Sequence, residues 1–253
     1  MRKGFSLVEL SIVLVILGLL VGGILAGRSL IRASELRAIS TEYQRLLTST
    51  QAFRDKYLAL PGDITNATRF WGTATHCPGS PTQGSTDAST CNGNGDGRIT
   101  TTGSANEMFR FWQHLANAGL LEGTYSGVVG GTVNVVTVVT GNAPASKFPN
   151  AYWHTQYWGP IALNGMYRYD MDYGHGFGFG GLTPDTWCSG SVLKPEELWN
   201  IDTKLDDGLP GRGKLIAHNL TWCTESLNST DFDKPYRLIN NNVACNFTMR
   251  MQY

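Results

Sequence analysis

Glu9 is the only ionisable side chain between residues 5 and 27 of this 253-residue chain. A carboxylate inside an apolar segment is costly and by default marks a functional position with a partner. Cutting the peptide bond between Gly4 and Phe5 would give Phe5 an α-amine four residues from Glu9, and the same amine on a neighbouring subunit could pair with that carboxylate. The competing chemistry is a carboxylate that snorkels to the headgroup region. A second constellation is Asn92, Asn94, Asp96, the carbonyl of Arg98 and Thr100, which occupy the first, third, fifth, seventh and ninth places of a calcium loop. Its twelfth place is Gly103, so the bidentate carboxylate is missing unless Glu107 or another segment supplies it. A plain Asn/Gly turn is the stronger reading from the residues alone. Third, Asp202, Asp206 and Asp207 fall within six residues of a Gly/Pro-rich turn, which reads as a solvated acidic turn with a second calcium site as the alternative. Ca2+ is thus the one candidate cofactor, and none is required.

Other chemistries find little support. The chain has neither HExxH nor GxSxG, and His76, His114, His154, His175 and His218 are scattered, so no enzyme is indicated. The run from Gly176 to Gly181 fits GxGxxG, but Leu182, Thr183 and Pro184 follow where a phosphate-binding helix should begin. Twenty Lys and Arg balance twenty Asp and Glu, so nucleic acid is not indicated as a partner. The aromatic stretch from Tyr152 to Trp158 reads as packing rather than an exposed ligand surface. None of the five cysteines forms a CxxC pair; disulfides in an oxidising compartment fit better. Two bridges can be drawn in 5 × 3 = 15 ways among five cysteines. Short-loop closure favours Cys77 with Cys91 and Cys223 with Cys245, leaving Cys188 as the odd thiol, at roughly 3 kcal/mol per bridge.

The elements that would position these groups divide the chain at about residue 60. Residues 1–4 are a short basic leader, too polar to carry the apolar region of a secretory signal. Residues 5–27, as a helix, would span roughly 35 Å, enough for a bilayer core. Arg2 and Lys3 favour a cytoplasmic N-terminus despite Arg28 and Arg32 beyond the far end. Leu36, Ile39, Tyr43, Leu46, Thr50, Phe53 and Tyr57 continue one apolar stripe at helical spacing, which stops at Leu60, Pro61 and Gly62. Residues 5–60 therefore form a transmembrane and stalk helix, and residues 61–253 a loop-rich, disulfide-bonded extracytoplasmic head. Within the head, a capping box at 104–107 opens a helix over 108–116. Another helix begins at Pro195, and strands are expected over 132–140, 161–169, 214–222 and 243–251. The fold class is α+β, a long helix packed on an antiparallel sheet.

Gly4, Phe5, Ser6, Leu7, Val8, Glu9 and Leu10, with the apolar run that follows to Gly18, closely resemble the prepilin cleavage and methylation motif of type IV pilins and type II secretion pseudopilins. The resemblance implies a lollipop-shaped subunit cut between Gly4 and Phe5 by a prepilin peptidase and N-methylated on Phe5. Glu9 would be the docking carboxylate. It also implies a bacterial inner-membrane, single-pass precursor with its head in the periplasm. That precursor would contact membrane lipid and an inner-membrane assembly platform, and would polymerise, with itself alone or together with other subunits, into a periplasmic or cell-surface filament. Many members carry a proline near what is here Ala26; this chain has Gly22, Gly23 and Gly27, which soften a helix in its place. A type II secretion pseudopilin is the leading expectation. A type IV pilus subunit for adhesion, motility or DNA uptake is the alternative, and a membrane-tethered glycan-binding or hydrolytic head that never polymerises is the third.

Overall fold

A computed structural model of the chain describes residues 6–75, 77, 87–100, 107–128, 141–160, 167–183 and 188–251. Helix α1 (Leu7–Tyr57) is 51 residues long, so at 1.5 Å per residue it extends about 75 Å. It passes Gly18, Gly22, Gly23 and Gly27 without a break, and no atom packs against their outer faces. Leu10, Leu14, Leu17, Val21 and Leu25 all stand exposed. Among the described residues, α1 is the helix long and apolar enough to cross a bilayer. Bare aliphatic side chains over this length need a lipid or protein covering. Further along, Ile39, Tyr43, Leu46, Thr50 and Phe53 turn inward at alternating four- and three-residue steps. Ser49 joins them and donates its hydroxyl to the Leu120 carbonyl at 2.8 Å. The helix ends at Leu58, whose left-handed backbone (φ 55°) returns its N–H to the Arg54 carbonyl.

The head adds α2 (Thr68–Trp71), α3 (Glu107–Asn117), β1 (Tyr152–Trp158), β2 (Gly174–Gly180), α4 (Pro195–Leu205), β3 (Leu215–Ala217), α5 (Leu220–Cys223) and β4 (Phe247–Arg250). The strands form one antiparallel sheet in the order β1-β2-β4-β3. The fold is α+β: a long apolar helix bearing a four-stranded head, a shape consistent with a pilin-like lollipop. Its core centres on Phe177. Around it stand Tyr43 of α1, Phe111 and Trp112 of α3, and Trp153 of β1, with ring centroids 5.9–6.5 Å away.

Strand β2 explains the glycine-rich motif. Phe177 and Phe179 point into the core, while Gly178 lies under the His154 ring, where a Cβ would come within 2.0 Å of that side chain. At Gly180 a Cβ would meet the Cys188 carbonyl oxygen at 2.3 Å. The glycines admit close neighbours on the face opposite the phenylalanines.

Two side chains of α1 fasten the head. Glu42 accepts hydrogen bonds from Ser146 Oγ (2.7 Å), the Lys147 N–H (2.8 Å) and Trp153 Nε1 (2.8 Å). Arg32 grips Glu197 of α4 through Nε (2.6 Å) and Nη2 (2.8 Å), and stacks over Phe148. Because Trp153 is buried, Glu42→Ala would strand its indole N–H; we expect a loss of about 2 kcal/mol. A denaturant midpoint shift with an unchanged slope measures this, and a shift below about 0.5 kcal/mol would contradict it.

Several expected elements differ. The strand expected over 214–222 is confined to β3, because Asn219 turns left-handed (φ 63°) and α5 follows. That over 243–251 is restricted to β4, since Ala244 and Cys245 donate their N–H groups to Leu193 instead. Of 161–169, residues 167–169 are not in a strand, and 161–166 lie outside the described residues. The strand over 132–140 and residues 104–106 of the capping box also lie outside them. Helix α3 begins at Glu107 and α4 at Pro195.

Candidate functional site

At the start of α1, Ser6 is the N-cap: its hydroxyl accepts the Val8 N–H, and Glu9 Oε2 accepts the Ser6 N–H at 2.8 Å. Glu9 thus occupies the third helical position, where the helix dipole favours a negative charge. The carboxylate is exposed at the head of the apolar segment. Gly4 and Phe5 lie outside the described residues.

The 92–100 loop is organised by a residue absent from the sequence reading. Asp63, just past the end of the stalk helix, is 4 % exposed. Its Oδ1 accepts the N–H groups of Gly95 (2.6 Å) and Asp96 (3.1 Å), and its Oδ2 that of Gly97 (2.9 Å). Glu107 accepts the Asn94 N–H, the Thr100 N–H and the Thr100 hydroxyl, each at 3.0 Å. Burial pushes both carboxyls above their ordinary range, against the pull of these donors. The loop's own ligands are turned to local work. Asn92 Oδ1 accepts the Thr68 N–H, Asn94 Oδ1 the Asp96 N–H and Asp96 Oδ1 the Arg98 N–H. Asp63, Asp96 and Glu107 each place a carboxylate oxygen within 4.8 Å of the others. Loop carboxylates that each satisfy backbone donors can hold the turn with no ion.

At the end of α4, Asp202, Asp206 and Asp207 also bring carboxylate oxygens within 4.8 Å of one another. Asp206 Oδ2 accepts the Lys214 and Leu215 N–H groups, and Asp207 Oδ1 the Leu209 N–H. Asp202 is fully buried; its Oδ2 accepts the Tyr236 hydroxyl at 2.7 Å, but Oδ1 has no hydrogen-bond partner. Burial chiefly, reinforced by the Asp206 and Asp207 charges, pushes its carboxyl up to about 7. The Gly208 N–H opposes that shift without meeting hydrogen-bond geometry.

Cys77 is bonded to Cys91 and Cys223 to Cys245, while Cys188 is free and buried. Burial drives the Cys188 thiol well above its ordinary value, the opposite of an activated nucleophile. His114 and His154 are each pulled down to about 3 by burial and His218 well below its ordinary value, so all three stay neutral at physiological pH. The His114 ring accepts the Gly62 N–H at Nδ1 and lies 3.0 Å from Thr90 Oγ1 at Nε2, stacked beside Phe53 and Trp71. The His114 and His218 nitrogens meet buried polar neighbours, and the His154 ring packs edge-on against Trp158.

Residues 1–25 match the family model of the prokaryotic N-terminal methylation motif, the prepilin-type cleavage motif of type IV pilins and pseudopilins. No curated protein and no solved structure matches the chain.

Proposed function

We propose that the chain is a structural subunit of a type IV pilin-like filament: cut between Gly4 and Phe5, methylated on Phe5, held in the inner membrane by α1 with its head in the periplasm, and polymerised through that helix. The observation that carries the reading is the methylation motif at the tip of an unbroken helix whose first half is apolar and uncovered. A helix of this kind can pass from lipid into a bundle of copies of itself with little change of environment, because lipid tails and aliphatic side chains are equally apolar. Glu9 supplies the register. On a lone subunit its carboxylate closes the capping box with Ser6; in a bundle a neighbour's Phe5 amine takes its place as the charged partner. Removing that pair costs most where water is excluded. Within this class we place the protein in a type II secretion pseudopilus, a periplasmic filament, since acid-lined loops in the head suit a calcium-containing compartment. The partners are then other filament subunits, prepilin peptidase, the inner-membrane assembly platform and lipid.

Glu9→Ala tests assembly. Filament sheared or pelleted from cells should contain the variant at less than a tenth of the wild-type level, while the membrane pool stays processed and keeps Cys223 bonded to Cys245. Incorporation equal to wild type would remove Glu9 from assembly and favour a tethered head that does not polymerise.

A further inference from the structure

Trp222, Leu238, Ile239 and Val243 are large apolar side chains that stand exposed on the head, Ile239 at 87 %. They belong to one ordered unit. The Asn240 side chain donates to the Trp222 carbonyl at 2.7 Å, the Arg237 N–H to the Cys223 carbonyl at 3.0 Å, and Cys223 is bonded to Cys245. The Asn242 N–H closes the loop on Asn240 Oδ1 at 3.1 Å. From Leu238 to Ala244 the loop carries no charge, only apolar residues and asparagines. An ordered, uncharged loop that holds aliphatic side chains bare needs a covering.

The place of the loop along α1 points to what covers it. Helix α4 runs beside α1 in the same direction: Glu197, near its start, meets Arg32, and Leu205, at its end, lines a cleft with Tyr43 and Leu47. Leu193, just before α4, accepts the N–H groups of Ala244 and Cys245. The loop therefore hangs from the end of α4 that faces the apolar segment. Arg32 is five residues past Gly27, ~7 Å along the helix axis. The headgroup layer of a bilayer is itself ~6 Å deep. On α1, Leu30 and Ile31 carry the bare apolar surface up to this level, and by Ile39 the head covers the helix. Exposed Leu58 and Phe70 lie instead at the far end of α1, ~45 Å from Gly27.

We propose that Trp222, Leu238, Ile239 and Val243 lie in the headgroup layer of the bilayer that α1 spans, so that the head rests on the membrane before the subunit joins a filament. The inference rests on α1 being the membrane anchor, and the loop continues the surface that lipid covers there. Trp suits this layer because its ring is apolar while its N–H can meet water or a headgroup. The asparagines add neutral donors for phosphate and ester oxygens. Passage into a filament must then lift the loop out of lipid.

For the test, the full chain is placed at one copy per lipid nanodisc, with and without phospholipid brominated high on its acyl chains. The emission that disappears in Trp222→Phe is the Trp222 signal, and bromolipid should quench it at least twofold. The indole introduced by Phe70→Trp, at the far end of α1, should be left unquenched. Ile239→Asp combined with Val243→Asp, both exposed changes, should abolish quenching of the Trp222 signal while the chain still resists alkaline carbonate extraction and keeps Cys223 bonded to Cys245. The proposal is overturned if Trp222 escapes quenching in a chain that resists carbonate, or if the double variant is quenched like wild type. It is equally overturned if the Trp222 emission shifts to the blue only in discs holding two copies, which would give the patch to a second copy of the chain. Carbonate extraction of the wild-type chain would overturn the anchor and the proposal together.

Discussion

The head is expected to lose about 5 kcal/mol of stability between pH 6.5 and 4.5. His114, His154 and His218 are at most 2 % exposed, and burial holds each ring neutral well below its ordinary pKa of 6.5. In the unfolded chain the same rings protonate as pH falls through about 6.5. The unfolded state therefore binds more protons, and the stabilisation present above that pH is lost on acidification. Asp202 acts with the opposite sign, because its carboxyl titrates at about 7 in the folded protein and near 4 when unfolded. With His175, lowered to about 4, four rings act against Asp202 and the less strongly raised Asp63 and Glu107, which leaves about two protons, a slope of about 3 kcal/mol per pH unit. That loss rivals the whole stability of a modest domain. For His114 the structural reason is plain: a proton on Nδ1 would displace the Gly62 N–H in a site already facing Arg110. Urea midpoints at three pH values would show the effect, and His114→Gln should recover about 2 kcal/mol of the loss. A stability that stays flat from pH 6.5 to 4.5 would contradict it.

Asp63→Ala is expected to cost about 3 kcal/mol, since it strands the Gly97 N–H and takes the charged acceptor from Gly95 and Asp96, which keep only the Asp63 carbonyl and Asn94 Oδ1. The packing admits little substitute: a Cβ at Gly93 would already stand 2.4 Å from the Asp63 backbone. Asp63→Asn keeps one acceptor oxygen and should cost about half as much. Equilibrium unfolding of the two variants gives the ranking; an alanine variant within about 1 kcal/mol of wild type would show that solvent replaces the carboxylate without penalty.

What could be read in the residues follows how local each signal was. The stalk stripe repeats every three to four residues over nearly six turns, and the buried Ile39, Tyr43, Leu46, Thr50 and Phe53 lie on it. Closure of short loops placed the cysteine pairs, and sequence separations of 14 and 22 join them in the structure. Strands β1 and β2 escape the sequence pattern because β1 sets aromatic pairs at both ends of a polar centre and β2 alternates glycine with phenylalanine, so neither shows the alternation of polar and apolar residues that marks a strand. Only tertiary contact with His154 and Cys188 explains those glycines. Asp63 was invisible for a related reason: its partners lie 32 to 34 residues away, and a lone Asp after a Pro-Gly stop reads as turn chemistry. Glu42 lies off the apolar stripe with no local signal to mark it, and its carboxylate holds three donors more than a hundred residues distant.

The most direct test of the central claim is the intact mass of the full chain extracted from membranes of a host with active prepilin peptidase, beside a Gly4→Ala precursor. The account predicts a wild-type mass lacking residues 1–4 and carrying one added methyl group, with both changes absent from the variant. A wild-type chain of full precursor mass, in a host that processes another prepilin, would contradict it.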